Sequence, residues 1–256
     1  SLAGAVLGYL LGHYAFELVR PLLVSLGWMD RIDVEVSALR EIAANSPWKA
    51  FWVLVLVGFT PIPLKIFTWA SGIKSPIYCD NRLVLSDHKV RTDVETGLME
   101  VIKENYPEVE VLMGTSTAGI AHAAIIAQMM ELPMGYVRGG NKDHGRQNRI
   151  EGKLEAGQKV VVVEDLISTG GSVIDVVDAL REAGADVLGI VSIFTYGMQR
   201  SVDRLAAADV KNVSLTNLDT LIEAAVEENY IQPGDADRIR KFRDNPSDEN
   251  WIGGDE

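Results

Sequence analysis

The sequence predicts an α/β protein in which a doubly wound, mostly parallel sheet follows an apolar helical N-terminal segment. From about residue 88 onward, short runs of valine and isoleucine alternate with stretches whose apolar residues recur every three or four positions. The runs show no apolar–polar alternation, which is typical of strands buried on both faces. Strands that alternate with helices in this way form parallel sheets covered by helices.

Five strands and two helices follow from this pattern. Gly184 is placed to end the first helix, because glycine commonly follows the last helical turn. Pro246, Gly253 and Gly254 lie in the last dozen residues, which we interpret as a loose tail. The predicted strands are Val109–Gly114, Met134–Arg138, Lys159–Glu164, Val187–Thr195 and Val213–Thr216. The two apolar helix stripes are Val173, Val176, Val177 and Leu180, and Leu218, Leu221, Ile222 and Ala225.

The first part of the chain differs in composition from the rest. Residues 1–73 carry five basic and five acidic side chains, so the whole net charge of -12 lies in residues 74–256. The charge-free runs Ser1–Phe16 and Ala50–Leu64 are shorter than the ~18–20 residues of a confident spanning helix. Glycines four residues apart in the first run suit close helix packing in lipid. We interpret residues 1–66 as a membrane-protein-like helical segment, with a buried soluble helix pair as the alternative, and residues 67–256 as a second domain.

Composition also excludes several classes of function. The single cysteine, Cys79, cannot form an internal disulfide or a thiolate zinc site, which favours a reducing compartment. We expect Cys79 to be a packed residue rather than a reactive thiol. A net charge of -12 argues against a general nucleic-acid binder, because such proteins need arrays of lysine and arginine.

The most informative stretch runs from Lys159 to Val173. Four consecutive valines precede Glu164 and Asp165, which we expect at the carboxyl edge of the sheet, where open α/β sheets bind ligands. The next residues, 168–172, offer hydroxyls and backbone N–H groups at a helix N-terminus, which is an anion site. Carboxylates beside a bound phosphate are well placed to accept hydrogen bonds from sugar hydroxyls or to hold a hydrated Mg²⁺. The stretch therefore predicts a site for a phosphorylated ribose; the alternative is an ordinary βα turn with a solvated acidic pair.

The sequence does not match three other nucleotide-binding or catalytic motifs. No Gly-Lys-Ser/Thr follows the turn, so it is not a Walker A loop, and the Gly-x-Gly-x-x-Gly dinucleotide fingerprint is absent. The stretch Gly114–Gly119 has Ala118 where a nucleophile elbow needs glycine, which argues against a serine hydrolase.

These residues resemble the type I phosphoribosyltransferases, and residues 67–256 resemble the orotate phosphoribosyltransferases in particular. The stretches that carry the resemblance, in the family's order, are 67–82, 117–123, 136–138, 142–145 and 164–172. The resemblance implies an enzyme that transfers a phosphoribosyl group from phosphoribosyl pyrophosphate to orotate in pyrimidine (UMP) biosynthesis, with a cytoplasmic catalytic domain.

The resemblance also implies a role for each matched residue. Ser168 would lie near orotate as well as phosphate, and Lys74 and Tyr78 lie in the stretch that covers the orotate pocket. Mg²⁺ would be held mainly through the substrate, with Glu164 and Asp165 nearby. The ribose 5-phosphate part would be bound by Glu164, Asp165, Leu166, Ile167, Ser168, Thr169, Gly170, Gly171 and Ser172, and the pyrophosphate side by Arg138, Lys142 and His144.

Lys142 and His144 lie on a loop that members of the family lend to the neighbouring subunit, which implies a homodimer. Together with Asp165 they are the expected catalytic residues. Two alternatives to this function are a phosphoribosyltransferase for another base and a non-catalytic regulator that binds phosphoribosyl pyrophosphate. A third is a membrane protein with a vestigial transferase domain.

Residues 1–72 resemble a fragment of the DedA-like (SNARE-associated) membrane proteins. The resemblance rests on the stretches 8–12 and 58–63, followed by Lys65, and on the Phe-Thr-x-Ala-Ser-Gly pattern at 67–72 that both families share. It implies membrane contact through residues 1–66. We hypothesise a chimera, natural or an assembly error, joined within residues 67–72.

Overall fold

The computed structural model describes residues 67–69, 72–139, 149–228, 230–248 and 250–251. The predicted membrane-like segment 1–66 therefore lies outside the described residues. So does the stretch that contains Lys142 and His144.

The described residues alternate between strands and helices, as the sequence predicts. Two short strands, β1 and β2, pair with each other near the start, and the other six strands form one sheet. In chain order the elements are β1 Phe67–Thr68, β2 Lys74–Ser75, a 3-10 helix Asn81–Ser86, α1 His88–Asn105, β3 Val111–Thr115, α2 Ala118–Met130, β4 Met134–Val137, β5 Ile150–Glu151, β6 Lys159–Ile167, α3 Gly171–Glu182, β7 Asp186–Thr195, α4 Gln199–Ala207, β8 Asn212–Asn217, α5 Leu218–Glu227 and α6 Pro233–Asp244.

The six-stranded sheet has the order β5-β4-β3-β6-β7-β8. Every neighbouring pair is parallel except β4 and β5, which are antiparallel. The mostly parallel sheet is confirmed, and all five predicted strands are present with ends shifted by up to three residues. The antiparallel edge strand β5 was not predicted, because two residues are too short to show a period.

The prediction that β6 ends at Glu164 is wrong, since the strand continues to Ile167. β3 accompanies β6 only as far as the pair Gly114 and Val163. β7 stays paired with β6 as far as Thr195 opposite Ile167. The end of β6 is therefore paired on one side only, and Glu164 and Asp165 lie within this overhanging part.

Both faces of the sheet are covered at β6. All four valines, Val160 to Val163, are fully buried. Val160 and Val162 pack in one cluster with the apolar stripe of α3. Because side chains alternate along a strand, Val161 and Val163 point to the opposite face. The buried stripes predicted for α3 and α5 are confirmed. Gly184, with φ of +90°, follows the end of α3 as expected, and its N–H donates to the carbonyl of Arg181.

The prediction of a loose tail is wrong for the part that the structure describes. Trp251 is buried, and its ring packs edge-on against Phe242 at a centroid distance of 5.7 Å. The Arg238 guanidinium donates a hydrogen bond of 2.8 Å from Nε to the Trp251 carbonyl. The chain beyond α6 thus folds back onto that helix.

None of the helices in the described ranges combines the length and apolar character that a bilayer crossing requires.

Candidate active site

A cavity of about 520 Å³ opens beside the overhanging end of β6. The strand carries two acids into it, the β3–α2 loop forms a second wall, and the segment after β2 contributes a third. The lining residues are Trp69, Tyr78, Cys79, Asp80, Arg82, Ser116, Thr117, Ala118, Glu164, Asp165, Leu166, Ser168, Ser172 and Tyr196. The cavity therefore lies at the carboxyl edge of the sheet, where the sequence predicts a ligand site.

Glu164 is the buried acid of the pair. Only 6% of the residue is exposed, and one of its carboxylate oxygens accepts a 2.9 Å hydrogen bond from the Asp165 N–H. Burial, followed by the neighbouring Asp165 carboxylate, raises the pKa of Glu164 well above its ordinary value, while a hydrogen bond from the Thr115 hydroxyl opposes the shift. Asp165 is less buried and lines the same cavity. The two adjacent carboxyl groups thus differ in environment.

The turn after β6 has the geometry of an anion-binding cradle. Gly170 has φ of +75°, which favours glycine, and it precedes α3 without a side chain that could cap the helix. The N–H groups at the start of α3 are therefore available to a ligand, and the helix dipole favours a negative charge there. Ser168 and Ser172 line the cavity beside them.

A contact with α4 fixes the shape of this cradle. Nη1 of Arg204 donates a 2.9 Å hydrogen bond to the Thr169 carbonyl. A Cβ at Gly171 would lie 3.0 Å from the same nitrogen, so the glycine allows the arginine to approach.

The β3–α2 loop contributes three lining residues that were not predicted. The Ser116 hydroxyl donates a 2.6 Å hydrogen bond to the Val137 carbonyl, which ties the loop to β4. A Cβ at Gly119 would collide with the Val163 carbonyl, so this glycine lets α2 begin close against β6. In the sequence, residues 117–123 carry part of the family resemblance and Gly114–Gly119 argues against a nucleophile elbow, but neither stretch assigns a ligand-binding role to the loop.

Aromatic rings and one thiol form a further wall of the cavity. The rings of Trp69 and Tyr196 lie 5.1 Å apart, and those of Phe67 and Tyr78 lie 5.9 Å apart. Burial, with the Asp165 and Asp80 carboxylates nearby, raises the pKa of the Cys79 thiol to about 12, as expected of a packed residue.

Asn81 connects this wall to β6. Its side-chain Nδ2 donates a 2.8 Å hydrogen bond to the Asp165 carbonyl, and its Oδ1 accepts one of 3.1 Å from the Cys79 thiol. The 3-10 helix is thereby held against the strand that carries the acidic pair.

The structure brings together only some of the predicted site residues. Thr169, Gly170 and Gly171 form the turn beside the cavity. The Ile167 side chain is 1% exposed and packs in the core cluster, so only the backbone of this residue could face a ligand, and its role in binding substrate stays a prediction. Arg138 lies outside the lining, where it forms an ion pair with Glu151 at 3.2 Å, and Lys74 is an exposed residue of β2. The predicted residues that do line the cavity are Tyr78, Glu164, Asp165, Leu166, Ser168 and Ser172.

Within the described ranges, no three histidine, cysteine, aspartate or glutamate side chains are grouped closely enough to hold a metal ion. The donor set that fits Mg²⁺ is the pair of adjacent carboxyl groups, Glu164 and Asp165. Mg²⁺ commonly binds through one or two carboxylates together with substrate phosphates. This pair therefore suits an ion held mainly through the substrate.

The fold and the site define a phosphoribosyltransferase of type I. The family model described as "Phosphoribosyl transferase domain" matches residues 85–230. Within that class, the chain belongs to the orotate phosphoribosyltransferase family. It is 59% identical over 190 residues to the orotate phosphoribosyltransferase of Bacillus cytotoxicus, a match that covers 74% of this chain and 90% of that protein. The corresponding protein of Bacillus anthracis is 58% identical over the same length.

Solved structures show the same relationship. The crystal structure of orotate phosphoribosyltransferase from Aeropyrum pernix has a TM-score of 0.59 and 31% identity, covering 66% of this chain and 94% of that one. The structure of Leishmania donovani UMP synthase has a TM-score of 0.62 and 25% identity, covering 75% of this chain and 41% of that one. The family match includes no part of residues 1–72, so the resemblance of that segment to DedA-like proteins stays a prediction.

Proposed function

We propose that this chain transfers the phosphoribosyl group of phosphoribosyl pyrophosphate to orotate, giving orotidine 5′-monophosphate and pyrophosphate in pyrimidine biosynthesis. The observation that carries the proposal is the identity of 59% to an orotate phosphoribosyltransferase across 90% of that protein. The cavity supports it, because an acidic pair lies beside a hydroxyl-rich helix N-terminus, as binding of a phosphorylated sugar requires.

The residues of β6 and its turn would hold the sugar phosphate. The start of α3, with Ser168, Thr169 and Ser172, would receive the 5′-phosphate, since its N–H groups and hydroxyls are donors. Asp165 would accept hydrogen bonds from the ribose hydroxyls and fix the sugar for attack at C1. Glu164 lies behind Asp165, at the buried end of the acidic pair.

The reaction would pass through a transition state of oxocarbenium character and needs no covalent protein nucleophile. A ring nitrogen of orotate bonds to C1 while the bond from C1 to the pyrophosphate oxygen breaks. Mg²⁺, when bound with the substrate, would supply charge neutralisation for pyrophosphate. Arg138, Lys142 and His144 would add positive charge on the same side, and such preorganised charges are commonly the largest catalytic contribution. Lys74 and Tyr78 would lie on the base side.

We also propose a homodimer in which Lys142 and His144 of one subunit complete the neighbour's site. Cytoplasmic localisation of the catalytic domain stays a prediction, and so does membrane contact through residues 1–66.

The test is a transfer assay on the full chain with phosphoribosyl pyrophosphate, Mg²⁺ and a panel of bases, in which nucleotide products are separated by chromatography. We expect orotidine 5′-monophosphate from orotate and little product from adenine or hypoxanthine. Product from a different base alone would indicate a transferase of other specificity. Binding of phosphoribosyl pyrophosphate without any product would indicate a regulator.

Exchanging Asp165 for asparagine tests the sugar site. Asp165→Asn should weaken binding of phosphoribosyl pyrophosphate by about tenfold or more, because hydrogen bonds to a charged acceptor contribute about 1.5–3 kcal/mol. The matched control is Asp178→Asn on the exposed face of α3, which removes the same charge. Equal affinities of the two variants would contradict the ribose role of Asp165.

A further inference from the structure

Arg82 is the one cationic side chain among the described residues that line the cavity. Three acids, Asp80, Glu164 and Asp165, line the same space. Orotate carries a carboxylate on its ring and has to enter this acidic cavity. A negative charge on the base side therefore needs a cation close by, and Arg82 is placed to supply it.

The ion pair with Asp80 holds the arginine in a defined orientation. Nε of Arg82 lies 2.5 Å from one Asp80 oxygen, and Nη2 lies 2.7 Å from the other. The same aspartate accepts a hydrogen bond of 3.3 Å from the Arg82 backbone N–H. Asp80, two positions earlier in the chain, thus binds the Nε–Nη2 edge of the guanidinium in a bidentate manner.

The end of the guanidinium formed by Nη1 and Nη2 faces away from Asp80. Within the described ranges Nη1 has no hydrogen-bond partner, the contact of Nη2 at this end is the long one of 3.5 Å with the Tyr78 hydroxyl, and 61% of the Arg82 side chain is exposed. This open end presents one N–H from each of Nη1 and Nη2 in parallel, the geometry that binds a carboxylate in a bidentate manner. Lysine cannot reproduce this geometry, because its ammonium is a point charge.

The neighbours of Arg82 favour a planar base rather than a phosphate. The Tyr78 hydroxyl lies 3.5 Å from Nη2, and 47% of Tyr78 is exposed. Tyr78 belongs to the aromatic wall with Trp69 and Tyr196, whereas the N–H groups of the anion cradle belong to the start of α3. Flat aromatic surfaces suit the face of a pyrimidine ring.

We propose that Arg82, oriented by Asp80, binds the carboxylate of orotate through its open Nη1–Nη2 end and thereby selects orotate over uracil. Uracil is the same pyrimidine ring without the carboxylate. The inference rests on the proposed transfer of a phosphoribosyl group to orotate and assigns the residue that recognises the base. A site built to pair with a polar substrate group discriminates strongly against an analogue that lacks it.

The experiment compares Arg82→Met and Arg82→Lys with the wild-type full chain. KM is measured for orotate and for phosphoribosyl pyrophosphate, and kcat/KM is measured for orotate and for uracil. Arg82→Met should raise the KM for orotate by about tenfold or more and leave that for phosphoribosyl pyrophosphate within about twofold. The ratio of kcat/KM for orotate over uracil should fall by a similar factor, and Arg82→Lys should recover only part of it.

The matched control is Arg200→Met, which replaces an exposed arginine in the first turn of α4 and changes the net charge equally. It should change neither the KM for orotate nor the KM for phosphoribosyl pyrophosphate. An unchanged orotate-over-uracil ratio in Arg82→Met would overturn the proposal. A raised KM for phosphoribosyl pyrophosphate alone would also overturn it, because the arginine would then serve the other substrate. If Arg82→Met does not fold, the ratio of kcat/KM for orotate over uracil is measured in Arg82→Lys and Asp80→Asn instead. A ratio unchanged from the wild type in both variants would likewise overturn the proposal. A wild-type chain that makes no product from orotate would instead refute the proposed function.

Discussion

Nδ1 of His122 lies 2.6 Å from a carboxylate oxygen of Glu95, and both side chains are completely buried. The contact joins α1 to α2, the helix that begins at the cavity-lining loop. Burial raises the pKa of Glu95, while the hydrogen bond with His122 opposes the rise. Within the described residues, the second Glu95 oxygen and Nε2 of His122 have no hydrogen-bond partner. Each group therefore depends on the other for its stabilisation.

His122→Ala should lower the free energy of unfolding by about 3–5 kcal/mol, because it leaves a buried carboxyl group without its partner. Urea denaturation of the full chain measures the loss. His88→Ala, at the exposed start of α1, is the matched control and should change stability by no more than about 0.5 kcal/mol. A loss below about 1 kcal/mol for His122→Ala would show that Glu95 finds other partners.

Trp251→Ala should lower the free energy of unfolding by about 3–5 kcal/mol, because it leaves a cavity against Phe242. The same urea experiment measures it. Leu83→Ala removes an apolar side chain from a residue that is 51% exposed, so it should have little effect. If the two variants are equally stable, the packing of Trp251 on α6 contributes little.

Periodicity made the centre of the sheet predictable. Four consecutive valines cannot belong to a half-exposed strand, and Val160 to Val163 are indeed buried on both faces. The end of β6 was not predictable in this way. Beyond Val163 the strand no longer pairs with β3, and residues 164–167 are mixed in polarity. How far β3 accompanies β6 cannot be deduced from the sequence of β6 itself. The side chain of Ile167, a residue that the resemblance places in the ribose phosphate site, packs in the core.

The acid pair and the turn were predicted because they are local, five to ten residues long and attached to one strand. Trp69, Arg82 and Tyr196 were missed because they come from distant parts of the chain. Their proximity depends on β7 lying next to β6 and on Asn81 fastening the 3-10 helix to Asp165. Contacts between residues so far apart in the chain produce no periodic pattern in the sequence from which they could be predicted.

Lys142→Ala should lower kcat by about 100-fold or more and leave the free energy of unfolding unchanged, because the lysine is expected to neutralise the leaving pyrophosphate. Steady-state kinetics and urea denaturation measure the two quantities. Lys153→Ala is the control, since that side chain is 85% exposed and pairs with Glu155. An unchanged kcat in Lys142→Ala would contradict the role assigned to its loop.

Mixing two variants, each impaired when assayed at a low concentration of phosphoribosyl pyrophosphate, tests whether the loop is shared between subunits. Lys142→Ala and Asp165→Asn, unfolded and refolded together, should regain about a quarter of the wild-type activity, because random pairing gives half heterodimers with one intact site of two. Each variant refolded alone is the control. No recovery in a mixture that contains heterodimers would mean that Lys142 serves its own subunit.

Glu164→Gln should stabilise the ligand-free protein increasingly as pH rises. The pKa of Glu164 in the folded state is raised above the ordinary value of 4.5, so the folded state binds its proton more tightly than the unfolded state does. The stabilisation from this carboxyl group is therefore fully present below pH 4.5 and is lost as pH rises through the folded-state pKa. Glutamine does not titrate, so the difference in unfolding free energy between the variant and the wild type should grow across that range and then level off.

Urea denaturation at a series of pH values measures this difference. Glu223→Gln, on the exposed face of α5, is the control and should show no comparable trend with pH. A pH-independent difference for Glu164→Gln would contradict a raised pKa. Stability and substrate affinity should change in opposite directions, because Glu164→Gln removes one acid of the pair beside the sugar site. We therefore expect the more stable variant to bind phosphoribosyl pyrophosphate with Mg²⁺ less tightly, as isothermal titration calorimetry would show.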